Sequence, residues 1–297
     1  KHLPDVNAAY AVYAYAALHR EDWPTAAKYA KMAREGHPLL SGIDYPESGL
    51  SADNDVGIWN VYSNEEETLY FYLVFAFESS NSSANICRNY PVAISKELYD
   101  QIPETDVRRG MFLAPKDGES YDPATGLAST AMAKRARKDF AGKLYGTTKV
   151  FAYMSFKHLV QAQPGVGEFA LFRASEMYLI EAEAYCHMPG KESEAQGLLC
   201  NLNHDSGRDP NYVCTKTGQD LLDEVRLYYR IEMFGEGRDW FNYKRWGLPI
   251  VRHDASHGGS FHKQFAVTIN PQDSNGWTWV IPNKEIDYNT AISSPLE

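Results

Sequence analysis

Small and large apolar residues recur at helical spacing near the start of the chain, and the pattern predicts two helices, over residues 7–19 and 25–33, separated by Arg20-Glu-Asp-Trp-Pro24. Pro24 suits the first turn of the second helix, because the N–H it lacks has no intrahelical partner there. Against the ~34-residue helix-turn-helix repeat, Tyr10 and Tyr13 take the large positions of the first helix and Ala14 the small one. Ala26, Ala30 and Ala33 fall on the second helix, and Pro38 takes the closing proline. Ala17 and Ala30 stand where such repeats usually carry an aromatic.

From about 42 to 148 the periodicity breaks up. Gly, Pro, Asn and Ser interrupt short aromatic and β-branched runs, of which 67–75 predicts a strand and 92–99 a short helix after Pro91. Much of the remainder is expected to be ordered loop, where binding residues concentrate. Helical spacing returns at 169–187, followed by Pro189-Gly190 and a helix over 192–202, a second two-helix unit. A further helix, 221–234, ends at Gly235-Glu-Gly237, after which Asp239 is placed to cap a short helix carrying Trp240, Phe241 and Tyr243. The tail from 261 alternates loop and short extended pieces, including 277–282. The expected fold is mostly α: a tetratricopeptide-like α-α superhelix with a large loop-rich segment and short strands. A single domain is expected over 1–297, with a helix pair at 1–40, a loop-rich ligand face at 41–168, and a second pair, further helices and tail at 169–297.

Composition narrows the function. With 44% hydrophobic residues in 297, the chain can bury a core, and a formal charge of -10 provides no basic stripe for nucleic acid. Aromatics reach 13%, with 20 Tyr and 6 Trp, which suits ligands that stack on flat rings, although most rings are expected in the core. Cys87, Cys186, Cys200 and Cys214 show no C-x-x-C spacing, and one bridge within 186–214 is compatible with export. No run approaches the ~20 apolar residues of a membrane span. Lys1-His-Leu-Pro4 resembles neither a signal peptide nor an initiator start, so an upstream segment is expected.

The stretch Phe172-Arg-Ala-Ser-Glu176-Met-Tyr-Leu-Ile-Glu-Ala-Glu183 resembles the SusD/RagB family helix, in which an arginine leads into Glu-Met-Tyr-Leu-Ile and Ala-Glu-Ala runs. Arg230-Ile-Glu232-Met-Phe-Gly-Glu236-Gly-Arg238-Asp-Trp-Phe-Asn-Tyr-Lys-Arg245-Trp-Gly is similar to the family's Arg-Glu, Glu-Gly-Arg and Arg-Trp-Gly signature. Ile281-Pro282 with Glu285 and Asn289 resembles its closing motif, and Asn64–Leu69, Ser95–Tyr99 and Asp106-Val-Arg108 match weaker signals upstream. Tyr228 and Tyr229 depart from the family's Glu and Arg, and Gly235 is an added flexible point.

The resemblance implies a surface nutrient-binding protein of the outer membrane that captures oligosaccharides, or in some members peptides, and delivers them to a SusC-like TonB-dependent transporter. It further implies an N-terminal lipid anchor and preceding helices, which are expected upstream of Lys1. Other readings are a glycan-cleaving enzyme and a plain tetratricopeptide scaffold for protein segments.

Glu176 and Glu183 share a helix face across two turns, a spacing open to an acid/base pair, but Arg173 and Arg230 are natural salt-bridge partners and a structural role is expected. Glu232, Glu236, Arg238 and Arg245 surround a glycine-broken helix end and read as a brace. The three histidines and aspartate of 253–262 lie on a glycine-rich loop without pre-placed ligands, and Asp53-Asn-Asp55 lacks the rest of a calcium loop, so neither metal nor cofactor is expected. Nucleophile-elbow, Walker, dinucleotide and His-Glu-x-x-His motifs are absent. A sugar needs a flat ring and an amide or charged rim, which Trp59-Asn60 with Tyr62, Asn89-Tyr90, Tyr121-Asp122 and Tyr145 offer in the loop-rich segment.

Overall fold

The computed structural model describes residues 3–48, 56–64, 66 and 78–272. The predicted strand at 67–75, the extended piece at 277–282 and the closing motif lie outside these residues, as does the Asp53-Asn-Asp55 cluster.

The first two helices form where alanine permits close approach. α1 (Val6–His19) starts on Asp5, whose carboxylate accepts from the Ala8 N–H at 2.9 Å. α2 (Trp23–Ala33) starts on Asp22, with Pro24 inside its first turn. Ala11, Ala14, Ala26, Ala30 and Ala33 are fully buried between them. Tyr13 does not fill a core position: it is half exposed and lies over Tyr29 at 4.4 Å between ring centres.

The second pair comprises α7 (Ala174–Cys186) and α8 (Glu192–Cys200), the latter running into a π turn at Asn201–Asp205. α2 packs on α7, and α7 in turn packs on α8 and on α9 (Gly218–Glu232), so helix layers distant in sequence share one core. Short helices α3 (Asp44–Ser48), α4 (Asn85–Asn89) and α5 (Lys96–Tyr99) and the longer α6 (Thr130–Asp139) interrupt the intervening segment. Among the described residues the fold is mostly α, as expected, with short strands.

Several boundaries correct the sequence reading. Helix α7 begins at Ala174 rather than 169, because residues 169–173 belong to β2 (Gly167–Arg173), which pairs antiparallel with β1 (Gly57–Ser63). Phe-Ala-Leu-Phe satisfies either periodicity locally, and ladder hydrogen bonds to a strand more than 100 residues upstream decide it. The helix predicted within 92–99 starts only after Ser95, whose hydroxyl accepts from the Leu98 N–H at 3.3 Å. α9 ends at Glu232, short of 234. Asp239 is the first residue of α10 (Asp239–Trp246), not its cap, and no side chain caps that helix. All four cysteines are free thiols.

Segment 147–156 ties the loop-rich part together. Lys149 N–H donates to Arg88 O at 2.8 Å, Ala128 N–H to Val150 O at 2.9 Å, and Leu113 N–H to Met154 O at 3.0 Å. Three separate loops thereby hang on one extended stretch. A final two-stranded ribbon, β3 (Ile250–Val251) with β4 (Thr268–Ile269), follows α10.

Candidate functional site

Burying a charge without a partner is prohibitive, so wherever charged side chains are buried their partners must be accounted for. Glu232, fully buried at the end of α9, accepts from Arg108 Nη1 at 2.9 Å, Arg173 Nη1 at 2.6 Å, and Arg208 Nε and Nη2 at 3.1 Å each. Burial alone would raise its pKa, but the fields of Arg208, Arg173 and Arg108 outweigh that and hold the carboxyl well below the usual range. Glu236 accepts from Arg173 Nε and Lys157 Nζ, each at 2.7 Å; burial again pushes upward, and Arg173 and Lys157 bring its pKa down to about 2. Arg108 is clamped from its other side by Asp106 at 2.6 Å.

Two further acids complete this brace. Glu176 pairs with Arg238 Nε at 2.6 Å and accepts from the Tyr229 hydroxyl at 2.8 Å. Glu183 takes both terminal nitrogens of Arg245, at 2.5 and 2.9 Å, and the Trp246 indole N–H at 2.8 Å. The partners differ from those expected in sequence: Arg173 serves Glu232 and Glu236, and Arg230 faces Asp239 at 3.7 Å. The Tyr departures are accommodated, since Tyr229 bonds Glu176 and the Tyr228 ring lies beneath Arg108 at 5.2 Å. Gly235 turns the chain between these acids with φ +75, and a Cβ there would meet Glu78 Oε2 at 3.0 Å. The signature acids thus bind guanidinium groups inside the protein, 24 to 124 residues from partners that the fold brings together.

The candidate ligand residues divide between elements. Trp59 lies on β1, opposite Phe172 and packed against the core. Asn60 is buried and donates to Glu168 Oε2 at 2.9 Å, while Tyr62 on the same strand is 38% exposed. Asn89 donates to Asn85 O at 2.9 Å at the end of α4, and the neighbouring Tyr90 ring is 75% exposed, the most open aromatic of the set. Tyr121 packs inward against Tyr153 at 6.0 Å. Asp122 is taken up by its own turn, accepting from Ala124 N–H at 2.9 Å and Thr125 Oγ1 at 2.7 Å. Tyr145 is half-buried, its N–H donating to Ser80 O at 3.1 Å. The strand group and the loop group rest on different supports, and only Tyr62 and Tyr90 present much ring to solvent.

Beside the loop group lies a cleft of about 290 Å³ that the sequence reading did not anticipate. Ala93, Ser95 and Leu98 form one wall; Arg230, Asp239, Trp240 and Tyr243 form the other, and Arg252 and Phe261 close it. Ser260 Oγ, accepting from the Lys96 N–H at 2.9 Å, and the His253–Glu97 contact tie the walls together. Phe261 also borders a second groove of about 330 Å³ reaching Pro123, Ala124 and Lys263. The cleft therefore begins three residues beyond Tyr90 and its extension reaches the residue after Asp122. Burial pushes the Asp239 carboxyl pKa up, against the pull of Arg230. α10 carries both jobs: Asn242, Arg245 and Trp246 turn toward Glu183 while Asp239, Trp240 and Tyr243 line the cleft, a split set by helical spacing. That split was the one available signal in the sequence. Among the described residues no group of three or more His, Cys, Asp or Glu side chains is placed to hold a metal ion.

A family model described as the SusD family matches residues 129–294. No curated protein matches the chain. The fold is similar to that of a SusD superfamily protein from Bacteroides thetaiotaomicron VPI-5482, with TM-score 0.70 and 20% identity over 97% of this chain and 60% of that one. It is also similar to a SusD-like carbohydrate binding protein from Bacteroides vulgatus ATCC 8482, with TM-score 0.66 and 19% identity over 91% of this chain and 52% of that one. A SusD superfamily protein from the same strain gives TM-score 0.67 and 18% identity over 95% of this chain and 56% of that one. The chain spans between 52% and 60% of the length of these three structures.

Proposed function

The chain belongs to the SusD family, and from that premise we propose that it captures oligosaccharides at the outer membrane surface, without cleaving them, and hands them to a TonB-dependent transporter of the SusC type. The observation that carries the non-catalytic part is the brace: Glu176, Glu183, Glu232 and Glu236 are all buried and ion-paired with arginine, so none is available as a free acid or base. A glycosidase needs two carboxyls flanking the bond to be cut.

The carbohydrate part draws support from the ring-lined cleft, and from the likeness in fold to a SusD-like carbohydrate binding protein. Shallow aromatic platforms with charged rims suit the alternating C–H face and hydroxyl edge of a sugar. In this reading the loop-rich segment and the helix layers act as one binding unit, with Tyr90 and Tyr62 as further open platforms outside the cleft. Anchoring to the membrane by a lipid on an N-terminal segment, and a peptide ligand in place of a glycan, remain within the same family logic. No helix among the described residues is long and apolar enough to cross a membrane.

The test is calorimetry with the oligosaccharide selected by a glycan and peptide array, on the parent chain and on Tyr90→Ala, Tyr62→Ala, Trp59→Ala, Tyr121→Ala and Tyr145→Ala. Loss of one good stacking platform should weaken binding about tenfold, or ~1.4 kcal/mol. Tyr90→Ala and Tyr62→Ala should melt normally, because their rings are largely outside the core. If the array returns peptides alone, the glycan reading fails.

A further inference from the structure

The charge within the cleft runs against the charge of the chain. The protein carries a formal -10, yet among the described residues the cleft is lined by two guanidinium groups, Arg230 and Arg252, and by a single carboxylate, Asp239. The Arg230–Asp239 pair is loose, at 3.7 Å, and the Arg230 Nε has no closer acceptor among the described residues. Arg252 lies over the Phe261 ring at 5.4 Å and has no carboxylate partner among the described residues. One positive charge is therefore unbalanced, and one buried donor is held only loosely by its acceptor. A buried donor held this loosely gains from a better-placed acceptor.

Arginine forks match flat, two-oxygen anions better than they match single hydroxyls. The walls beside them carry Trp240 and Tyr243, which supply an apolar face for a sugar ring. At about 290 Å³ the cleft has room for one ring-sized unit, and the groove that continues past Phe261 toward Lys263 gives the rest of a chain somewhere to lie.

We propose that this cleft selects an anionic sugar unit, a uronate or a sulfated residue, with Arg252 and Arg230 on its anion and Trp240 or Tyr243 against its ring. The inference rests on the glycan-capture reading and narrows it to acidic polysaccharides. Arg252 is the recognising cation, because its guanidinium is exposed and otherwise unpaired; Asp239 competes with the ligand for Arg230.

The experiment is a titration of the 297-residue chain with three oligosaccharides of equal length: an oligogalacturonide, a sulfated galactan and the neutral galactan, with a glutamate-rich peptide as a fourth probe. At least one anionic glycan should bind ten times or more tightly than the neutral one, and the uronide and sulfate arms identify which anion is read. Arg252→Gln should remove about tenfold of that preference. Asp239→Asn should strengthen anionic binding severalfold, the opposite of what a merely structural loss would do, and both variants should keep the parent melting temperature. Raising salt from ~0.05 to ~0.5 M should weaken the anionic ligand more than the neutral one. Equal or tighter binding of the neutral galactan overturns the acidic-sugar assignment and leaves glycan capture intact. Binding of the peptide alone overturns both.

Discussion

Replacing Glu232 by glutamine keeps the shape of the side chain and removes one charge from the centre of the brace. Its Oε1 accepts from Arg173 and Arg208, and its Oε2 from Arg108 at 2.9 Å and Arg208 Nε at 3.1 Å. In Glu232→Gln the amide oxygen can keep one of these pairs of bonds, while the NH2 group turns a donor toward guanidinium donors on the other side. Two charge-assisted hydrogen bonds are lost, at roughly 1.5–3 kcal/mol each. Asp106 still neutralises Arg108, which limits the damage. The expected destabilisation is about 3–5 kcal/mol, the range for breaking a buried ion pair on one side. For a chain of this size that corresponds to a melting temperature lower by ~10 °C. Urea unfolding followed by circular dichroism measures it, with Asp100→Asn as the surface control. The Lys96–Asp100 pair that it breaks is exposed on both sides, so the control should change by less than ~1 kcal/mol. A Glu232→Gln protein within ~1 kcal/mol of the parent would refute the view that this carboxylate is the keystone of the fold.

Arg238→Ala leaves Glu176 buried beside Tyr229 and should cost roughly 1–3 kcal/mol in urea unfolding while ligand affinity, measured well below the melting temperature, barely changes; a stable variant that no longer binds would move Arg238 into the ligand site. Acid should destabilise the protein in stages: His158, which burial and then Lys157 bring down to about 3, costs stability as pH falls below its unfolded ~6.5, and Glu236, at about 2, loses its contribution as pH falls from ~4.3 toward 2. Glu78 has the opposite sign, since burial raises its pKa to about 7 and its folded form is penalised as pH rises through that value. Glu78→Gln should therefore raise the urea midpoint more at pH ~8 than at pH ~5, and the reverse order would contradict its buried placement, in which Oε2 has no hydrogen-bond partner among the described residues.

How much was legible beforehand depended on the range of the interactions. Helices α1 and α2 are written locally, in alanines at helical spacing and in Asp and Pro at their starts, and their predicted bounds fall within two residues of the observed ones. Residues 169–173 misled because their pattern fits either period and the deciding partner strand lies at 57–63. The brace was half legible. Family motifs pointed to Glu176, Glu183, Glu232, Glu236, Arg238 and Arg245, but Lys157 and Arg208 belong to no motif and enter only because the fold brings them to Glu236 and Glu232. Arg230 was misassigned for the same reason, as sequence proximity says little about which acid a long side chain reaches. Beyond the two faces of α10, the cleft was not legible, since its walls come from 93–98, 230–243 and 250–261. Of the ring and amide residues proposed as ligand contacts, Asn60, Asn89 and Asp122 spend polar groups on the protein itself, a use that composition cannot distinguish from waiting for a sugar.

The most direct test of the central claim is a calorimetric titration of the chain with the oligosaccharide selected by the array, followed by mass analysis of that ligand after prolonged incubation. Capture without chemistry predicts saturable binding and recovery of the ligand at its original length. Steady release of shorter products, abolished by Glu176→Gln or Glu183→Gln, would contradict it and make the brace an active site.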